Sequence, residues 1–158
     1  MAGDIFAKEG SAVTITSTGA STSGGTATSA GDIDLRAAGT ANLIEPFEGI
    51  FELTAQWATI TGITGGVSIA DLFLVPKLDG TNAADVDTTA TTSRAPLGAY
   101  ADTFVCAKAP TANTNMRFIT GIVKLFPLLY TVYIINRSGQ TISANWALKV
   151  VAARAQYT

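Results

Sequence analysis

Histidine is absent from this chain, cysteine occurs once, and charge is sparse. Each shortage removes a class of function. Without histidine, one chain cannot build a serine triad or a Cys–His dyad. Nor can it build the Cys/His cluster that zinc requires. The single cysteine, Cys106, has no partner for an intramolecular disulfide, so bridges do not stabilise the fold. Its context, Tyr100-Ala-Asp-Thr-Phe-Val-Cys-Ala107, reads as that of a small buried hydrophobe rather than a nucleophile. Charged residues make up 14% of the 158, against a usual figure of about 25%. The net charge is −2. The cations Lys8, Arg36, Lys77, Arg94, Lys108, Arg117, Lys124, Arg137, Lys149 and Arg154 are scattered, with no two adjacent. Phosphate binding needs clustered Lys and Arg, so no nucleic-acid partner is expected.

Long apolar runs are missing too. The most apolar window, Phe118 to Ile135, is interrupted by Gly121, Lys124 and Pro127 and is rich in strand formers. A membrane span wants about 20 nearly uninterrupted apolar residues, so the window reads as strand, turn, strand. The start, Met1-Ala-Gly-Asp-Ile-Phe-Ala-Lys-Glu, has no cationic segment followed by an apolar one, and no secretory leader is expected. There is no phosphate-binding glycine loop and no dinucleotide fingerprint, and no cofactor is expected.

What is present is alternation. Phe51, Leu53, Ala55 and Trp57 point one way and Glu52, Thr54, Gln56 and Ala58 the other, so Phe47–Ile60 reads as a half-buried antiparallel strand. Val67–Leu78 follows, with Pro76 predicting an edge strand or a bulge. Ser11–Thr16, Ile33–Leu35 and Leu97–Ala107 are shorter candidates, and Ala37–Ile44 is ambiguous before Glu45-Pro46. The last forty residues read as three strands, Met116–Val123, Leu129–Asn136 and Asn145–Ala153, forming a closing sheet that the rest of the chain covers. Residues 17–30, a Ser/Thr/Gly/Ala tract, read as a polar loop, with two short strands around Gly24-Gly25 as the alternative. Residues 79–96 read as a second long polar loop. With no convincing helix, the expected fold is all-β: an antiparallel β-sandwich, jelly-roll-like. Its length favours one domain over 11–158 after an arm at 1–10. Ile5 and Phe6 in that arm either tuck onto the chain's own core or contact a partner.

Few residues invite a chemical role. Asp79, Asp85 and Asp87 suggest calcium, but the spacing fits no EF-hand, and a solvated loop is the better reading. Glu45, Glu48 and Glu52 lie close in sequence. On one strand face Glu48 and Glu52 would stand about 13 Å apart, beyond the roughly 5–9.5 Å of glycosidase carboxylates. Trp57, Trp146, Tyr130 and Tyr133 are candidates for a sugar-stacking platform, but each falls within an alternating pattern that favours core packing. No catalytic constellation emerges, and no enzyme is expected. A surface left to Thr, Ser, Ala, Gly and Asn is buried against other proteins at little desolvation cost.

Two segments carry a resemblance. Phe51-Glu-Leu-Thr-Ala-Gln-Trp57 with Asp71-Leu-Phe-Leu-Val-Pro-Lys-Leu-Asp-Gly80 is one. Tyr133-Ile-Ile-Asn-Arg-Ser-Gly-Gln-Thr141 with Ala144-Asn-Trp-Ala-Leu-Lys149 is the other. Over about Phe47 to Tyr157 the chain resembles small all-β virion proteins of tailed bacteriophages, of the capsid decoration or cement type. The resemblance implies a homo-oligomer made in the host cytoplasm that binds the major capsid protein on the outside of the assembled shell and stabilises it. Tail and fibre modules share such folds, so a tail or fibre component is an alternative within the same class. A carbohydrate-binding sandwich is an alternative outside it.

Overall fold

Backbone pairing along β10 (Trp146–Tyr157) organises the larger of two sheets. The computed structural model describes residues 5–9, 12–36, 43–79, 81, 99–126 and 128–157, with 5–9, 43–47 and 153–157 described by backbone alone. On one side β10 pairs with β4 (Leu43–Ala55), from Ala147 opposite Thr54 to Gln156 opposite Leu43. On the other side β1 (Ile5–Glu9) and β2 (Val13–Gly19) lie end to end, β1 opposite Ala153–Tyr157 and β2 opposite Trp146–Val150. β7 (Met116–Ile119) and β8 (Val123–Lys124) divide the far edge of β4 in the same way. The second sheet runs β3 (Ala27–Asp34), β9 (Leu129–Asn136), β5 (Val67–Pro76), β6 (Tyr100–Cys106). All of these pairings are antiparallel.

With each collinear pair counted as one row, the first sheet has the order β1/β2, β10, β4, β7/β8. The chain passes from β2 to β3, back to β4, across to β5 and β6, back to β7/β8, across to β9 and home to β10. Of successive rows only β5 and β6 pair with each other. The rest cross between sheets, so the fold is a two-sheet antiparallel sandwich.

The inner faces follow the period of two. Phe51, Leu53 and Ala55 of β4 meet Leu148 and Val150 of β10, and across the sandwich Leu72, Val132 and Ile134 close the same core. Trp57 stacks edge-on against Phe118, with ring centroids 5.7 Å apart and planes at 78°. A smaller cluster of Ala27, Phe73, Val75, Ala99 and Ile135 lies on the other side of the second sheet. β5 and β9 are therefore largely apolar on both faces, which explains the continuous apolar run Leu72-Phe-Leu-Val75 and the stretch Tyr130–Ile135, apolar except for Thr131. No described helix is long and apolar enough to cross a membrane.

Three expectations are corrected. The last three strand segments do not form a sheet together: β9 belongs to the second sheet, and β4 separates β7/β8 from β10. Strand character is local, but a connection as short as Leu125–Leu128 is enough to cross between sheets about 10 Å apart. β5 is an interior row, not an edge; its ladder to β6 is irregular at Ser68/Ala70 and Leu72/Phe73, as a bulge would make it, but Pro76 itself pairs regularly with Tyr130 of β9. Pro76 is tolerated there because Lys77 N–H points to β9, donating to the Leu129 carbonyl at 2.8 Å. The missing N–H of Pro76 therefore faces the other side, where the β6 pairing has ended at Tyr100.

Half of residues 17–30 is strand: β2 runs to Gly19 and β3 starts at Ala27. The Gly24-Gly25 turn exists, closed by Thr26 N–H on the Ser23 carbonyl at 3.2 Å, with Gly25 at φ +77°. It turns a corner between sheets rather than making a hairpin. Small side chains suffice because long neighbours, β10 and β9, supply the backbone partners. Of the 79–96 segment only Asp79 and Thr81 are described.

Candidate interaction surface

The rim between β6 and β7/β8 carries the most exposed apolar side chains in this part of the fold, and the alternation explains them. Phe118 faces the core, so Ile119 must face solvent, and it is 65% exposed. Thr120 then replaces a ladder residue with its own side chain. Its N–H donates to the Phe51 carbonyl at 3.0 Å, and its Oγ1 accepts the Phe51 N–H at 3.0 Å. The row bulges there, and Gly121 swings toward the other sheet. Its N–H donates to Asp102 Oδ2 at 2.6 Å, while Asp102 Oδ1 accepts the Thr103 N–H at 2.8 Å. A Cβ on Gly121 would lie 3.2 Å from Asp102 Oδ2, so glycine lets the two rims close.

Beyond the bulge Val123 and Leu125 are buried, which sends Ile122 and Phe126 outward at 68% and 64% exposure. Across from them stands Tyr100, half exposed. Its ring meets Phe73 edge-on at 5.7 Å, and its hydroxyl shares a hydrogen bond with Thr103 Oγ1 at 2.8 Å. Thr103 Oγ1 in turn donates to Asp71 Oδ1, whose Oδ2 accepts from Arg137 Nε at 2.6 Å. The Phe126 carbonyl accepts from Leu128 N–H at 2.8 Å and from the Tyr130 hydroxyl at 3.4 Å. Burial pushes the Tyr130 phenol above its ordinary value, the direction expected for a donor kept in its neutral form. Together Tyr100, Ile122, Phe126 and Tyr130 border an open groove of about 350 Å³, with Lys124 at its margin.

The residues singled out in the sequence fall elsewhere. Ile5 and Phe6 lie in β1, opposite Tyr157 and Gln156 of the same chain. Trp57 and Trp146 are buried to 0% and 1% exposure, and Tyr130 is buried with them, so these rings present no stacking platform. Trp57 Nε1 donates to Ser138 Oγ at 3.1 Å and Trp146 Nε1 to the Ala20 carbonyl at 2.7 Å. Glu48 is opposite Lys124, and Glu52 lies 3.9 Å from Arg117 on the outer face of the larger sheet. The side chain of Glu45 lies outside the described residues. Cys106 is fully buried, its thiol directed at the Lys108 carbonyl. Asp79 accepts the Thr81 N–H at 2.8 Å; Asp85 and Asp87 lie outside the described residues. Among the described residues no group of three His, Cys, Asp or Glu is placed to hold a metal.

Ile119, Ile122, Phe126 and Tyr100 were not singled out by sequence reasoning. The sequence signal is ambiguous there: in 116–126 apolar residues occupy both parities, and a one-residue bulge decides which of them face outward. Set against protein-family models, curated proteins and solved structures, the chain matches none.

Proposed function

We propose that this protein is a non-enzymatic structural protein of a bacteriophage virion, a decoration protein that binds the outer surface of the capsid and stabilises it. The observation that carries the reading is the apolar rim: three large aliphatic and aromatic side chains, Ile119, Ile122 and Phe126, each about two-thirds exposed along one edge of a rigid sandwich. Such side chains mark a protein contact. Burying each is worth roughly 1.5–3 kcal/mol before the cost of association. The resemblance read in the sequence over about Phe47 to Tyr157 supports the same reading, and the two-sheet antiparallel sandwich is compatible with it.

The mechanism is mass action. A protein that binds only the assembled shell stabilises it by RT ln(1 + [L]/Kd), about 2.7 kcal/mol at a hundredfold excess over Kd. Repetition over a lattice adds avidity. Purified protein added to undecorated heads is expected to sediment with them and raise the temperature at which they release DNA. Ile122→Lys with Phe126→Lys is expected to weaken binding at least tenfold while leaving the melting of the free protein unchanged. Heads that bind parent and variant equally, or neither, would sink the proposal; recovery on isolated tails alone would move the assignment to a tail component.

A further inference from the structure

Among the described residues β1 is held by a single neighbour: its five residues pair with Ala153–Tyr157 of β10, and no other described strand packs against it to a comparable extent. It continues the row of β2 along the same edge after residues 10–12. On the opposite side of β10 the ladder to β4 is irregular over that same stretch. Register shifts flank Arg154, which lies opposite Pro46, a residue with no N–H to give. β1 thus joins the fold through one short backbone ladder, on a strand end whose other ladder is interrupted.

Lifting β1 away leaves the Ala153–Tyr157 edge with unpaired N–H and C=O groups, a template for another strand. The strand that fits it without any new contact is β1 of another copy, because it remakes the same ladder in the same register. We propose that β1 exchanges between copies, Ile5–Glu9 of one chain pairing with Ala153–Tyr157 of a second to give a closed symmetric oligomer. Exchange keeps every backbone bond of the β1–β10 ladder, so protein concentration sets its extent. It requires no shell and holds or fails independently of the function proposed above.

The register supplies the test. Phe6→Cys with Gln156→Cys, and separately Ala7→Cys with Ala155→Cys, place cysteines on directly opposed positions. Neighbouring positions alternate between hydrogen-bonded and non-bonded pairs, so one variant of the two has the closer geometry. Oxidised at high protein concentration and run denatured without reductant, at least one variant is expected to give covalent dimers or higher species. The parent chain, whose Cys106 is buried, should give none. A disulfide confined within single chains, or none in either variant, overturns the proposal. Light scattering gives a second reading. Phe6→Pro and Ala7→Pro, made singly, direct the lost N–H to opposite sides, so one of them must break the ladder. That one is expected to reduce the oligomer to monomer with tryptophan emission unmoved. A parent that is monomeric throughout, or an oligomer that survives both prolines, overturns it.

Discussion

Gly19→Ala adds one methyl group and is expected to destabilise the protein severely. Gly19 is the register partner of Trp146, where β2 crosses the start of β10. The indole is buried to 1% exposure, and its Nε1 is tied to the Ala20 carbonyl at 2.7 Å. Asn145 N–H donates to the Gly19 carbonyl at 2.7 Å, which fixes the backbone on both sides of the ring. A Cβ built on Gly19 would fall within the indole itself, so either the ring moves or β2 leaves the edge. Overpacking of this kind costs about 1–3 kcal/mol. A displaced ring also gives up its hydrogen bond, a further 0.5–1.5 kcal/mol or so. A total of about 1.5–4.5 kcal/mol corresponds, at roughly 2–4 °C per kcal/mol for a chain of this size, to a Tm lower by roughly 3–18 °C. Thermal unfolding followed by circular dichroism and by tryptophan emission measures it. Thr18→Ala, exposed on the same strand, serves as the control and should stay within about 0.5 kcal/mol of parent. A Gly19→Ala Tm within about 1 °C of parent would show that the indole is not pinned, and would refute the reasoning.

Asn136→Leu tests the buried polar end of the sandwich. Asn136 Nδ2 donates to the Thr22 and Gln140 carbonyls at 2.8 and 2.7 Å, and its Oδ1 accepts the Ser138 N–H at 2.9 Å. Losing these bonds at a fully buried site is expected to cost about 2–4 kcal/mol in urea unfolding, and a loss below about 1 kcal/mol would contradict the assignment. Acid sensitivity should trace partly to Asp32 and Asp34. The Lys77 ammonium, bonded at 2.6 Å, chiefly holds Asp32 below its usual value, with Thr131 assisting. Asp34 falls from 3.8 to about 2, chiefly through the Arg36 guanidinium. Both folded values are depressed, so the stability they contribute is present above the unfolded pKa near 3.8 and lost as pH falls through the folded values. Both groups face solvent, so the effect is small and weakens with salt. Urea midpoints of Asp32→Asn should fall less than those of parent between about pH 5 and pH 2; an identical fall would remove Asp32 from the account.

The strands were legible in the sequence where one face is buried and the other wet. Phe51, Leu53 and Ala55 alternate because β4 has one inner face, and Trp57, two residues past its end, keeps the same phase; all four are fully buried. Leu129–Asn136 was also legible, through its β-branched and aromatic content. What alternation cannot carry is partnership. Nothing local in β9 says that it pairs with β3 and β5 rather than with β10, because a sandwich joins sequence neighbours across its core as readily as within a sheet. The 17–30 tract misled for a related reason. Its strands earn their place through the backbone needs of β9 and β10, so composition alone reads them as loop.

The rim was harder to read because it depends on an interruption. Had β7 and β8 been one regular strand, the step from Phe118 to Ile122 would preserve parity, and Ile122 would join Phe118 in the core. The bulge at Thr120-Gly121 changes the register by one, so that Val123 and Leu125 turn inward and Ile122 and Phe126 outward. The same bulge lets Asp102 hold Gly121 and draws the two rims together. Exposure of the apolar strip and closure of this side of the sandwich therefore have one cause. Asp102→Ala separates them: losing the carboxylate frees the Gly121 N–H but leaves Ile122 and Phe126 in place. The variant is expected to lose about 1–3 kcal/mol of stability, as for a hydrogen bond to a charged group. Hydrogen exchange at Gly121 should quicken. If binding to heads resides in the strip itself, it should survive this loss, whereas Ile122→Lys with Phe126→Lys should weaken it at least tenfold at unchanged stability. Equal loss of binding in both variants would mean that the geometry of the rim, rather than its apolar side chains, is what a partner reads.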